Sequence, residues 1–155
     1  MRPSLEQAMA DHGKSVFAAA YSLLRCREDA EDVAQETFLR YYTTDKQFDS
    51  PAHLRAWLLR VAKNRSVDLL RSPRCRELPL EEADGPAFPT EEGEALFRAV
   101  MALPEAYRLT VHLFYYEDYS VQEIARVLGL PQTTVRTRLF RGRQLLRQAL
   151  EEETP

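Results

Sequence analysis

Between Pro131 and Glu151 the chain carries five arginines, Arg136, Arg138, Arg141, Arg143 and Arg147, without one acidic residue. Just ahead of them stand Gln132, Thr133 and Thr134. These side chains suit recognition rather than bond-making: amides, hydroxyls and guanidinium groups meet base edges, and arginines neutralise phosphates. A merely solvated helix more often mixes both charge signs. Gln132, Thr133, Thr134, Arg136, Thr137, Arg138 and Arg141 are therefore the candidate nucleic-acid contacts.

Nothing elsewhere suggests catalysis. Cys26 and Cys75 form no CxxC pair, and His12, His53 and His112 are scattered, so neither a metal centre nor a catalytic triad is expected. The two cysteines read as ordinary reduced thiols. No apolar run approaches the ~20 residues of a membrane span. The first 25 residues include Glu6, Asp11 and Lys14, unlike a signal peptide, which points to a cytoplasmic protein.

The arginine-rich segment needs an element to present it. Ser120-Val-Gln-Glu123 has the form of a capping box opening a short helix with Ile124, Ala125 and Leu128, which ends at Gly129. Leu130-Pro131 then leads into a longer helix with Val135, Leu139 and Leu146 on its apolar side. A small residue where helices cross, a glycine in the turn and a branched anchor beyond it together predict a helix-turn-helix. A further helix is expected from Leu103-Pro104 to about Tyr116.

The net charge of −3 is unevenly spread. Residues 51–76 hold seven Lys/Arg against one acid and residues 107–150 seven against three, whereas residues 77–106 hold one against eight. Because screening confines phosphate attraction to about 8 Å at physiological salt, these blocks matter more than the total. The stretch 76–94, with Pro79, Gly85, Pro86, Pro89, Gly93 and seven acids, reads as a flexible acidic linker. It separates an N-terminal part, residues 1–75, from a C-terminal part, residues 95–155, and both are expected to be small all-α domains.

In the N-terminal part, Val16, Phe17, Ala20, Tyr21 and Leu24, and then Ala30, Val33, Ala34, Thr37 and Phe38, mark two amphipathic helices. Ser50-Pro51 starts a third, with Ser as N-cap and Pro at the first helical position, and Pro73 should stop it near Ser72. Leu54, Trp57, Leu58, Val61, Ala62 and Leu69 form its core face, opposite the basic Arg60, Lys63 and Arg71. Counted as core, Trp57 should unfold the domain when truncated. Leu59 and Leu70 fall off that face, as exposed leucines or as contacts to another macromolecule. Arg65 projects toward the apolar side, to pair with Asp68 or with an acid of the second helix, or to snorkel to water. Glu28, Asp29, Glu31, Asp32, Gln35 and Glu36 make an acidic surface on the second helix.

The order of the strings DAEDVAQETFLRYY, LRAWLLRVAKNRSVDLLR and LPEAYRLTVHLFYYEDYSVQEIARVLGLPQTTVRTRLFRGRQLLR, across nearly the whole chain, resembles a bacterial ECF (extracytoplasmic function) sigma factor. The first two are similar to region 2 and the last to region 4. The resemblance implies that the surface matching Asp29, Asp32, Gln35 and Glu36 docks on the clamp helices of core RNA polymerase. It implies that region 4 also meets the polymerase flap. The helix bearing Arg60, Lys63, Asn64 and Arg71, with the loop Thr43 to Ser50, would engage the minus-10 promoter element, Asn64 matching a position used to capture an unstacked base. Gln132 to Arg138 would read the minus-35 element, with Arg136 and Arg141 on phosphates. An anti-sigma factor is a further partner by family habit. No enzyme activity, cofactor or small-molecule substrate is implied. Gly142 departs from the alanine common in the family, and Arg71-Ser-Pro-Arg-Cys-Arg76 is less densely basic than in many members.

Two other readings fit parts of the chain. A sigma-like decoy that sequesters an anti-sigma factor would not need the basic faces, and a one-component helix-turn-helix repressor would need a ligand or dimerisation module in its N-terminal half.

Overall fold

The computed structural model describes residues 2–71 and 91–153, in two compact units of helices; no strand occurs among the described residues. The expected linker lies largely outside them, as do Pro73 and Cys75.

The N-terminal unit is a three-helix bundle of α1 (Leu5–Leu24), α2 (Arg27–Thr43) and α3 (Pro51–Leu70), each packed against the other two. Local chemistry sets the ends. The Ser4 hydroxyl accepts from Gln7 N at 3.1 Å to open α1, and Arg25 closes it in the left-handed conformation (φ 55°), its N–H donating to Tyr21 O. No side chain caps α2; Glu28 and Asp29 in its first turn complement the helix dipole instead. As predicted, Ser50 caps α3, accepting from His53 N at 3.1 Å, with Pro51 at the first position. The last helical residue is Leu70, close to the expected stop, and Arg71 N donates to Val67 O at 3.2 Å.

The core joins Val16, Ala20 and Leu23 of α1, Val33, Phe38 and Tyr41 of α2, and Leu54, Leu58, Leu59 and Ala62 of α3. Leu59 corrects the sequence reading. It is 1% exposed, because α3 faces two helices at once and its buried side is wider than one stripe. Trp57 is corrected in the opposite sense: it is only partly buried and stands at the loop before α3. Leu69 and Leu70 are also only partly buried.

The C-terminal unit comprises α4 (Glu91–Met101), α5 (Glu105–Tyr115), α6 (Val121–Leu128) and α7 (Gln132–Glu153). Helix α4 takes in the last residues of the stretch read as linker, and an Arg98–Glu94 ion pair of 3.1 Å spans one of its turns. The long α7 touches all three other helices and anchors them through Val135, Leu139 and Leu146. Val100, Leu109, Val111, Leu113, Ile124 and Val127 fill the space between. No helix among the described residues is long and apolar enough to cross a membrane.

Candidate nucleic-acid and docking surfaces

The helix-turn-helix forms as its residues dictate. The Ser120 hydroxyl accepts from Glu123 N at 3.1 Å while the Glu123 carboxylate accepts from Ser120 N at 3.0 Å, the reciprocal capping box. Gly129 takes the left-handed conformation (φ 67°), and both its N–H and that of Leu130 turn back to Ala125 O. A side chain there would be strained, which is why glycine closes α6. Val135 and Leu139 are then buried, and the opposite side of α7 is left to solvent.

At 100° per residue that outer side carries Thr133, Thr137, Phe140 and Gln144, flanked by Arg136 and Arg147 on one edge and Arg141 on the other, all exposed. The Arg136 guanidinium donates to Gln132 Oε1 at 3.2 Å, one turn back, so the two polar ends are already held together. Thr137 donates to Thr133 O at 3.0 Å. Arg138 stands apart: it reaches back to Ala106 O on α5 at 3.4 Å. Arg143 lies over Phe114 and Tyr115, its guanidinium 5.5 and 5.9 Å from the ring centroids. Phe140 escaped the sequence reading, which sought polar and charged side chains. It is 62% exposed among the arginines; its place opposite Val135 and Leu139 in the helical period was the available signal.

On α3, Arg60, Lys63, Asn64 and Arg71 share one face, and the Lys63 ammonium donates to Asn64 Oδ1 at 3.1 Å. At the head of this face sits the loop before α3. Phe48 makes edge contacts with His53 (5.2 Å) and Trp57 (5.4 Å), and Asp49 N donates to His53 Nδ1 at 3.0 Å. His53 and Trp57 are on the same side of α3 as Arg60 and Asn64, so loop and basic stripe form a continuous surface.

On α2, Asp32, Gln35 and Glu36 are exposed as expected, but Asp29 is 6% exposed and does not belong to the open acidic surface. Glu36 accepts a 2.6 Å charge-assisted hydrogen bond from Arg65 Nε of α3, so the arginine found an acid of the second helix rather than Asp68. Leu39 and Tyr42, 60% and 68% exposed, extend the same side of α2 with apolar surface. No group of three or more His, Cys, Asp or Glu residues able to hold a metal occurs among the described residues.

A three-helix unit with an acidic face and a basic stripe, followed by a unit with a basic helix-turn-helix, describes a protein that joins DNA to another macromolecule. Residues 8–75 match the family model of Sigma-70 region 2 and residues 93–146 that of Sigma-70, region 4. The chain is 30% identical over 156 residues to the ECF RNA polymerase sigma factor SigW of Bacillus subtilis, covering 88% of this chain and 83% of that protein. It is 34% identical to the ECF RNA polymerase sigma factor SigE of Mycolicibacterium smegmatis, over 98% of this chain and 63% of that one. Among solved structures, CnrH in complex with the cytosolic domain of CnrY aligns with a TM-score of 0.72 at 29% identity, over 97% of this chain and 89% of that one. The sigma factor RpoE bound to the anti-sigma factor NepR from Bartonella quintana aligns with a TM-score of 0.75 at 23% identity, over 96% and 97%, a likeness of fold. The chain belongs to the ECF sigma factors of the sigma-70 family.

Proposed function

We propose that this chain is a promoter-specificity subunit: it binds core RNA polymerase in the cytoplasm and directs initiation at promoters with minus-10 and minus-35 elements. Residues 1–75 dock and engage the minus-10 element, the stretch between residue 75 and α4 tethers, and the unit from α4 onward reads the minus-35 element, α4 having taken residues 91–94 out of the expected linker. The observation that carries this reading is the pairing of two exposed basic helical faces, on α3 and α7, with an acidic face on α2. Either DNA face alone would make few phosphate contacts and bind weakly at physiological salt. Delivered together by polymerase, the two act on one promoter. The decoy reading leaves both basic faces without a use, and the N-terminal three-helix unit matches sigma region 2 rather than a ligand or dimerisation module.

Asp32, Gln35 and Glu36, with Leu39 and Tyr42 beside them, offer acidic and apolar contacts to a basic helical partner such as the clamp. Asp29, buried in the first turn of α2, is left out of this contact surface. Arg60, Lys63 and Arg71 hold phosphates near the minus-10 element while Asn64 and the loop before α3 receive an unstacked base. Gln132, Thr133, Thr134, Arg136 and Thr137 meet the minus-35 element, Arg141 its phosphates, and Phe140 adds an apolar contact; Arg138 reaches DNA only by releasing Ala106 O. An open groove of about 980 Å³ in the C-terminal unit, lined by Leu96, Val100, Tyr115, Leu146 and Leu150 among others, suits an apolar helix of the polymerase flap or of an anti-sigma factor.

Run-off transcription by core polymerase reconstituted with this chain on fragmented genomic DNA, with sequencing of the 5′ ends, tests the proposal. Shared sequence elements near minus-10 and minus-35 are expected upstream of the starts. Absence of initiation from any fragment refutes it.

A further inference from the structure

The loop between α2 and α3 is tied down from a distant part of the chain. Arg2, ahead of α1, lays its guanidinium over the Tyr41 ring, 4.4 Å from the centroid, with the Phe48 ring at 6.0 Å. One guanidinium nitrogen, Nη1, donates to Thr44 O at 2.6 Å and to Lys46 O at 3.3 Å, and the other, Nη2, donates to Tyr41 O. Tyr41 replies by donating its hydroxyl proton to Pro3 O. Residues 2–3 and the end of α2 are thus clasped in both directions.

The acceptors are informative. Tyr41 O belongs to the last turn of α2, whose carbonyls have no partner within the helix, and a cation there also meets the negative end of the helix dipole. Thr44 O and Lys46 O lie beyond the helix, in the first half of the loop. The second half is held locally, by Phe48 against His53 and Trp57 and by Asp49 N on His53. Arg2 therefore orders the half of the loop that the α3 contacts do not reach. A lysine could supply the charge but not the planar fork that serves three carbonyls while stacking on a ring.

We infer that Arg2 is a positioning residue for promoter recognition: it fixes the first half of the 44–50 loop in the shape that receives the minus-10 element. The inference rests on the proposed role of that loop. It assigns a part in specificity to a residue outside both family-matched segments, the first of which begins at residue 8.

The test uses the full chain without an N-terminal extension, as wild type, Arg2→Ala, Arg2→Lys and Tyr41→Phe. Amide hydrogen exchange is read in the free protein, and transcription by reconstituted polymerase is read on a promoter set with single changes in the minus-10 element. Arg2→Ala should speed exchange of amides 44–47 by about tenfold or more, corresponding to about 1.4 kcal/mol of lost local order, with core amides of α1 and α3 unchanged. Discrimination among minus-10 variants should fall by a similar factor, while affinity for core polymerase and for minus-35 DNA stays within twofold. Arg2→Lys should recover little, and Tyr41→Phe, which keeps the ring and loses the bond to Pro3, should show a smaller change of the same kind. If loop exchange and minus-10 discrimination stay within twofold of wild type, the inference is wrong. If core and loop amides accelerate together, Arg2 is a general stability contact and the inference is equally overturned. Should the wild type fail to initiate at all, the exchange data still report whether Arg2 orders the loop, so failure of the functional reading is told apart from failure of this one.

Discussion

Gly142 of α7 faces Val111 of α5 so closely that a β-carbon at position 142 would stand 2.8 Å from Val111 Cγ2, with Tyr107 Cβ at 3.6 Å. Val111 is buried and β-branched, so its methyl groups have little room to turn. The glycine at 142 thus sets how near α7 lies to α5. Adding a carbon to a packed interface costs roughly 1–3 kcal/mol, and alanine's better helix propensity returns at most about 1. Gly142→Ala should lower the stability of the C-terminal unit by about 1 kcal/mol in urea denaturation. Paired with Val111→Ala, the loss should be smaller than the sum of the two single changes. A stabilised Gly142→Ala would mean that α5 and α7 separate easily.

The Arg65–Glu36 pair bridges the basic face of α3 and the acidic face of α2 with both side chains about half exposed. Surface pairs contribute at most about 1 kcal/mol, so Glu36→Gln should barely change the melting temperature. Its affinity for core polymerase should fall well beyond that small effect. The double reversal Glu36→Arg with Arg65→Glu should restore the ion pair and leave polymerase binding impaired. Restored binding would place Glu36 in the bundle's architecture alone.

Trp57 supports the loop through Phe48 rather than filling the core. Trp57→Ala should cost about 1–3 kcal/mol, below the roughly 3–5 typical of a fully buried aromatic. Circular dichroism should show a folded N-terminal unit, while permanganate reactivity of the minus-10 region in the polymerase complex should drop. An unfolded variant would return Trp57 to the core.

In the recognition helix, Arg136→Ala should weaken minus-35 binding by about 1–3 kcal/mol if the side chain meets a base, or reduce the salt slope by about one if it meets phosphate. Gln132→Ala should be partly redundant with it, because the two side chains are bonded. Arg138→Ala, whose guanidinium is occupied on Ala106 O, should change DNA affinity less than Arg136→Ala. Fluorescence anisotropy across a salt series separates these outcomes.

His12 on α1 has its pKa lowered from the usual 6.5, first by desolvation, with Arg55 adding to the effect and Asp11 opposing it. Below pH 6.5 the unfolded chain takes up a proton that the folded chain resists. The contribution to stability is therefore constant above about pH 7 and declines as the pH falls below 6.5. Chemical denaturation between pH 5 and 7.5 should show this slope in the wild type and a flatter one in His12→Gln. Equal slopes would remove His12 from the pH response.

What the sequence determined by itself was short in range. Ser50 and Ser120 as caps, Gly129 in the turn, and the 3.6-residue period of each helix depend on neighbours within about four positions, and all stand where the residue types placed them. Charge blocks separated the two basic segments, and the order of the motifs identified the family. The tertiary structure decided which neighbour each face meets. A period reports a direction around a helix but not the width of its buried side, so Leu59 went into the core, Asp29 was buried rather than left on the open acidic face of α2, and Trp57 came out to the loop. Arg65 turned to Glu36, Arg138 to Ala106 and Arg2 to the end of α2, with partners 29, 32 and up to 44 residues away in the chain. Such contacts arise only when separate helices close on one another, and no local pattern encodes them.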